Sequence, residues 1–319
     1  SLEAAGGDYE AREPCTVVCS ATATYSVMEN GTLFAWGTGS LGCSPDASAV
    51  VEMVTTKTRI PRHVAIDIKV KLIASAPTNH CLLLSFKGAV YAWGNGNRGK
   101  LGLGDVQNRV VPTVIPSLNE AIQWIGCGSE YSAAISSHGG NLYTWGDGSI
   151  GQLGRATDMN TVPEKVVASG LGNMEIMQCA TGHEHVLVVV KNKDTTTNVY
   201  SWGNSTFGRL GNLEEHERQN NTTSNKEQKS NNHSNNHSNN HSNNHSNNQG
   251  QYVPSEINIG KGLVSILSVA AGQKHSMALT SNGLVFAWGS NEMGQLGLGK
   301  KLSKKKMVAT PTLVALPLC

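Results

Sequence analysis

The chain has 319 residues, room for two average domains or for one domain built by repetition. Its 25 Lys and Arg nearly balance 23 Asp and Glu, a formal net charge of +2, which argues against a nucleic-acid binder that is basic over its whole surface. Only 15% of residues are charged, against a usual level of about 25%, while 39% are hydrophobic and 35 are Gly. That composition favours many short strands and tight turns over a helical bundle.

The opening residues, Ser1 to Pro14, are acidic and lack the apolar core of a signal peptide; beginning with Ser, they read as the start of a processed or excised piece. Apolar runs such as Cys81–Leu84 and Val186–Val190 fall far short of the ~20 residues of a membrane-spanning helix. The seven cysteines form no Cys-x-x-Cys pair, so they read as reduced, small hydrophobic residues of a nuclear or cytoplasmic protein. No cofactor is expected.

Along the chain, five segments align on a Trp-Gly pair: Leu33-Phe-Ala-Trp36-Gly37, Val90-Tyr-Ala-Trp93-Gly94, Leu142-Tyr-Thr-Trp145-Gly146, Val199-Tyr-Ser-Trp202-Gly203 and Val285-Phe-Ala-Trp288-Gly289. Six residues after the Trp, four of them read Gly-x-Leu-Gly: Gly99 to Gly102, Gly151 to Gly154, Gly208 to Gly211 and Gly294 to Gly297. The first keeps only Gly42. Upstream of each Trp stands a ring, assigned as Tyr25, His80, Tyr131, His185 and His275, with a turn such as Asn30-Gly31, Lys87-Gly88, Gly139-Gly140 or Asn282-Gly283 between ring and Trp.

Each unit predicts a β-hairpin, for which Asn-Gly supplies the positive φ angles of a two-residue turn. The Gly after Trp is expected where the chain passes a neighbouring sheet, and the Leu of Gly-x-Leu-Gly is expected to anchor a turn in the core. Cys19 and Cys179 each precede the assigned ring by six residues and read as one repeat position that faces packing. A unit of roughly 50 residues with about four strands cannot cover both its faces alone, so copies must stack, and radial stacking of four-stranded sheets is a β-propeller. The expected units are approximately 15–60, 61–118, 119–170, 171–258 and 259–319, after an N-terminal segment 1–14. WD repeats are the rival propeller, but their Trp-Asp signature is absent.

The combination of Ala271-Gly272-x-x-His275, Asn282-Gly-x-Val-Phe-Ala-Trp-Gly289, Gly294-Gln-Leu-Gly-Leu-Gly299 and a later Pro-x-x-Val resembles the regulator of chromosome condensation repeat family, from about Cys15 to Pro317. The resemblance implies an all-β propeller of four-stranded blades, five of them recognisable here, within a family ring of seven. About five and a half units fit the length, so the chain is expected to be a portion of a longer propeller, with Met307–Val314 opening a further repeat; a closed five-bladed ring is the alternative.

Residues 212–251 break the pattern with an Asn/His/Ser-rich tract whose four-residue motif carries His233, His237, His241 and His245. With almost nothing apolar to bury, it is expected to be a disordered insertion in the fourth unit, and nothing in it forms the closed ligand set of a zinc site. No catalytic set emerges. His80, His185 and His275 recur with the repeat, as do Trp36, Trp93, Trp145, Trp202 and Trp288, which points to packing roles. His183 and His185, two apart on an expected strand, could face one ligand, and metal is not expected there. Gly94-Asn-Gly-Asn-Arg-Gly99 lacks the Lys-Ser/Thr and the helix of a phosphate loop.

Two segments suit partners. Lys300, Lys301, Lys304, Lys305 and Lys306 form a basic loop able to meet nucleic-acid phosphates or serve as an import signal, and the tip Lys191–Asn198 is longer than its counterparts. The family resemblance implies, for some members, nucleotide exchange on a Ran-type small GTPase and docking on chromatin. A non-catalytic interaction propeller of that kind is the first expectation; the alternative is an interaction scaffold of a larger protein, such as a signalling or ubiquitin-ligase assembly, without exchange activity.

Overall fold

Five times along the chain, an apolar run ending in Trp-Gly forms the third strand of a four-stranded antiparallel sheet. The computed structural model describes residues 14–39, 41–42, 56–78, 80–167, 171, 174–212, 250–259, 265–302 and 305–316. The first sheet comprises β1 (Pro14–Cys19), β2 (Ala23–Met28), β3 (Leu33–Gly39) and β4 (Thr56–His63). The second is β5 (Val70–Ser75), β6 (His80–Ser85), β7 (Val90–Gly94) and β8 (Arg109–Val114). The third is β9 (Ile122–Cys127), β10 (Tyr131–Ser136), β11 (Leu142–Asp147) and β12 (Met159–Lys165). The fourth is β13 (Glu175–Thr181), β14 (His185–Lys191), β15 (Thr197–Asn204) and β16 (Gly250–Ile257), and the fifth is β17 (Ile266–Ala271), β18 (His275–Thr280), β19 (Val285–Ser290) and β20 (Met307–Leu313). Strands within each sheet follow chain order. One compact unit holds the first three sheets; a second holds residues 150–156 with the fourth and fifth. The tract at 213–249 and the opening residues 1–13 lie outside the described residues.

Met307–Leu313 is therefore the outer strand of the fifth sheet, paired to β19, and not the start of a further repeat. Three other expectations are corrected by register. His80, Tyr131, His185 and His275 each stand opposite the Gly that follows Trp, but in the first sheet that place belongs to Ala23, which faces Gly37; Tyr25 lies two residues further on, opposite Ala35. Cys19, opposite Thr24, consequently matches Cys127, opposite Ser132, rather than Cys179, and it is exposed while Cys179 is buried. The hairpins of the first, second, fourth and fifth sheets are also one residue longer than a two-residue turn, and that of the third is two residues longer. In Glu29-Asn30-Gly31 the Met28 amide bonds Thr32 O and the Gly31 amide bonds Met28 O, and only the Gly has positive φ; Gly88 and Gly283 repeat the geometry. This is a type I turn closed by a left-handed residue. In the fourth sheet Thr195 takes that left-handed place at φ 68, and the extra residues extend the β14–β15 ladder as far as Lys191 and Thr197 instead of enlarging the loop.

The Gly after Trp meets its own sheet most closely, and at Gly146 the turn of the preceding sheet as well, where a Cβ would lie 3.3 Å from Lys100 Cα. A Cβ on Gly146 would sit 2.6 Å from Glu130 O and 2.7 Å from Tyr131 Cα, and φ is +108°. At the same place the ladder to the outer strand skips: Thr144 faces Glu164 but Gly146 faces Asn160, and all five sheets share this bulge. Each bulge holds a proline, Pro61, Pro112, Pro163, Pro254 or Pro311, where the missing N–H costs no ladder bond and blocks pairing of the open edge with another chain.

Within each unit, adjoining sheets share their cores. Ala23, Tyr25, Val27 and Leu33 of the first sheet pack with Ile73, Cys81, Leu83 and Trp93 of the second, whose other face gives Leu82, Leu84 and Ala92 to Ile125, Ala134 and Trp145 of the third. Leu187, Val189 and Val199 likewise meet Val269, Ala278 and Trp288. β6 and β14 are covered on both faces, which accounts for their unbroken apolar runs.

The bulge geometry predicts unequal costs for two glycine substitutions measured by urea unfolding. Gly146→Ala must move backbone and should cost at least about 3 kcal/mol. Gly283→Ala, with nothing within 4 Å, should cost only the left-handed penalty of about 1–2 kcal/mol. Equal losses would contradict the close approach at Gly146.

Candidate functional site

Within each compact unit, Gly-x-Leu-Gly turns pack against a sheet that follows them in the chain. Their leucines, Leu101, Leu153, Leu210 and Leu296, are buried. A Cβ on Gly99 would lie 2.7 Å from Thr161 Cα and one on Gly208 2.3 Å from Ala309 Cβ, so these turns ride on the following sheet's outer strand. Gly151 lies as closely on Gln251. A Cβ on Gly102 or Gly211 would strike the indole Nε1 of Trp145 or Trp288 at 2.7 and 2.8 Å. Gly154 shares the left-handed φ of the others, while around Gly294 and Gly297 nothing comes closer than 3.5 Å. Between the two glycines, one carbonyl receives the next tryptophan: Trp145 Nε1 donates to Lys100 O at 3.0 Å, Trp202 to Gln152 O at 3.1 Å and Trp288 to Arg209 O at 2.9 Å. These three tryptophans and Trp93 are fully buried, whereas Trp36 is half-buried.

The same carbonyls bring in the histidines. Ser132 Oγ donates to Lys100 O and Ser276 Oγ to Arg209 O, both at 2.8 Å. His80 Nε2 lies 3.0 Å from Ser132 Oγ and His185 Nε2 lies 2.8 Å from Ser276 Oγ. Because each hydroxyl spends its proton on a carbonyl, its oxygen accepts, and the histidine must carry the proton on Nε2. Burial first, then Lys100, brings the His80 pKa down to about 3; burial, then Arg209, does the same for His185. His275 is half-buried and lowered by burial alone. Gly182 and Gly272 leave room for the rings of His185 and His275, since a Cβ on either would lie 2.3 Å from the imidazole. Burial also pushes the Cys81 thiol up to about 11 and raises Cys127 and Cys179, so all three stay protonated at neutral pH.

On the outward side of the turns the residue before the first Gly varies: Arg98, Ile150, Phe207 and Met293. Arg98 and Phe207 both take left-handed backbone at φ 61, and Met293 is 90% exposed. Arg98 and Phe207 each lie in a three-residue 3-10 turn, too short to offer an anion site. Behind them lie buried cations: Lys100 Nζ meets Glu130 Oε2 at 2.6 Å, and Arg209 reaches Glu184 Oε2 at 3.3 Å and Gln273 O at 3.2 Å. The Phe207 ring carries Lys274 Nζ 4.4 Å from its centroid and the Arg209 guanidinium at 5.6 Å.

His183 and His185 do not face one ligand. His183 precedes the strand and lies 3.7 Å from Glu184 Oε1, while His185 is enclosed against Ser276. Among the described residues no three His, Cys, Asp or Glu side chains gather as metal ligands, and no helix is long and apolar enough to cross a membrane. Of the basic loop, Lys300 and Lys301 lie in a single helical turn, Gly299–Leu302, Lys304 falls outside the described residues, and Lys305 and Lys306 are exposed. Asn291, which the repeat pattern did not flag, ties this loop down: its side chain bonds Lys305 O at 3.1 Å and its amide bonds Lys306 O at 2.7 Å.

Buried neutral histidines make stability depend on pH. The unfolded chain binds a proton on each below about pH 6.5, the folded chain only near pH 3, so stability is complete above 6.5 and falls as the pH drops, by about 1.4 kcal/mol per pH unit per histidine. Urea unfolding at pH 7, 6 and 5 should show this fall, and His80→Gln should reduce its slope by one proton. Parallel slopes would contradict a neutral His80.

Residues 87–135, 139–189 and 282–318 match the regulator of chromosome condensation (RCC1) repeat, and 266–295 match a second description of it. The chain is 28% identical over 296 residues to the ultraviolet-B receptor UVR8 of Arabidopsis thaliana, covering 91% of this chain and 56% of that protein. It is 30% identical over 237 residues to the E3 ubiquitin-protein ligase HERC2 of Mus musculus, covering 72% of this chain and 4% of that one. The chain thus spans little more than half of one relative and a small part of the other. The crystal structure of Prp20p from Saccharomyces cerevisiae superposes with a TM-score of 0.70 at 21% identity, covering 96% of this chain and 64% of that one. The chain belongs to the regulator of chromosome condensation repeat family, and its five four-stranded sheets are blades of the β-propeller fold of that family.

Proposed function

We propose that this chain is a non-catalytic interaction propeller acting as a guanine-nucleotide exchange factor for a Ran-type small GTPase, in the nucleus or cytoplasm. The observation that carries an interaction role is the contrast within each turn. The Gly, Leu and carbonyl positions are spent on holding sheets together, while the neighbouring tip changes from Arg98 to Ile150, Phe207 and Met293. Left-handed backbone at Arg98 and Phe207 costs about 1–2 kcal/mol each, a strain that favours a role for the projecting side chain. Exchange needs no covalent step; a protein that binds the empty GTPase better than the loaded one speeds release. The family resemblance supports this reading, as does Prp20p, whose structure is described with its binding properties to Gsp1p and histones. The match to a 4% portion of HERC2 favours the second reading, an interaction module inside a larger assembly.

The basic loop adds a proposed contact to chromatin or DNA phosphates. Lys305 and Lys306 are exposed and Asn291 fixes their backbone, which lowers the ordering cost on binding.

Mixing the protein at micromolar concentration with a Ran-type GTPase carrying fluorescent GDP should speed release at least tenfold, a release barrier lowered by about 1.4 kcal/mol. Phe207→Ala or Met293→Ala should reduce the effect. Unchanged release would remove the exchange reading and leave the scaffold. Replacing Lys300, Lys301, Lys304, Lys305 and Lys306 with Ser should weaken retention on DNA and flatten its salt dependence; unchanged retention would exclude the loop as the contact.

A further inference from the structure

The links between successive sheets differ by one residue in the first unit. Val64 N bonds Leu33 O and Val70 N bonds Gly31 O, just as Ile115 N bonds Val90 O and Ile122 N bonds Gly88 O. Between these matched anchors the first link has residues 65–69 and the second 116–121. The longer link fills its space: Leu118 is buried and the Glu120 carboxylate accepts from the Tyr143 hydroxyl. Counted back from the second anchor, Ile68 stands where Glu120 stands. Tyr91, the counterpart of Tyr143, therefore has no carboxylate to meet, and among the described residues its hydroxyl makes no hydrogen bond. What remains is a groove of about 680 Å³ between the hairpin tips of the first two sheets.

The groove has an apolar floor and a cationic rim. Leu33, Val64, Ile66 and Ile68 line it beside Tyr91, Phe86 stands 60% exposed at its edge, and Lys69 and Lys87 border it, with Asp67 as its one acid. Along residues 56–91 the chain has six Lys and Arg against that single carboxylate. Lys57, Arg59 and Arg62 are exposed on β4, which leads into the groove through His63, and make no ion pair among the described residues. Such a volume accepts two large side chains of a peptide, and the surrounding charge selects acidic flanks.

We propose that this groove docks an acidic segment of a partner protein, which sets apolar side chains against Ile68 and Tyr91 and carboxylates against Lys69, Lys87 and Arg62. This surface lies at the hairpin ends of the sheets and is independent of the Gly-x-Leu-Gly tips.

Fluorescence anisotropy with the labelled peptide Glu-Asp-Glu-Asp-Leu-Phe-Glu-Asp-Glu-Asp tests it. The full chain should bind with a micromolar Kd that weakens with salt, and a peptide with Lys in place of every acid should not bind. The Lys69→Glu/Lys87→Glu variant, altered only at the groove's edge, should lose at least tenfold in affinity with an unchanged melting temperature. Ile68→Glu, which restores the carboxylate found in the next link, should also abolish binding. Equal binding by the acidic and basic peptides, or by wild type and the double variant, would overturn the proposal. Binding that emerges only after removal of residues 1–13 would overturn it too, by assigning the groove to the acidic segment of this chain.

Discussion

In three of the five repeats, one backbone carbonyl held between two left-handed glycines receives the indole of the next tryptophan. Lys100 O and Arg209 O each receive two protons, one from a tryptophan indole and one from a serine hydroxyl, while Gln152 O receives the indole alone among these donors. All these groups are buried, where an unmade hydrogen bond costs about 1–3 kcal/mol. The glycines are required because a Cβ on Gly102 or Gly211 would occupy the indole's position, and the leucine between them seals the turn. The third and fifth sheets are thus each completed by a turn that the previous sheet supplies, and the fourth by residues 150–156 of its own unit. The segment 150–156 makes this plain, since it belongs to the same compact unit as Trp202, its hydrogen-bond donor.

The bulge beside each tryptophan serves the same contact. Letting three outer-strand residues face one inner residue turns the outer strand at the Trp-Gly pair, and the proline inside it closes the edge to foreign strands. Neutral histidines beneath the serines add a second link between the same pairs of sheets. Their burial beside Lys100 and Arg209 keeps them uncharged, which binds stability to pH.

The architecture is legible in the amino-acid sequence because its demands recur: Trp, Gly and Leu return at fixed spacing, and five copies average out local exceptions. The exceptions are where reading by residue type fails. Tyr25 looks like the ring of its repeat, yet strand pairing gives that place to Ala23 and sends Tyr25 against Trp93, with ring centroids 6.0 Å apart. Met307–Leu313 reads as a new beginning because an outer strand, taken by itself, resembles an opening one. The prolines of the outer strands and the Ser partners of His80 and His185 carry a repeat signal that an alignment on Trp alone passes over. The first groove leaves no motif at all, for it arises from one residue fewer in a link and an isoleucine in place of a glutamate. Function is less legible than fold for a related reason. The scaffold consumes the recurring positions, and residues that differ from copy to copy, such as Arg98, Phe207 and Met293, leave no repeat signal to read.

Hydrogen exchange of the indole protons, followed by NMR, tests the central claim most directly. The account predicts that the Nε1 protons of Trp145, Trp202 and Trp288 exchange only through global unfolding, at the same free energy as the slowest backbone amides, while that of half-buried Trp36 exchanges far faster. Rapid exchange at all four would show that the carbonyl between the glycines does not hold the sheets together.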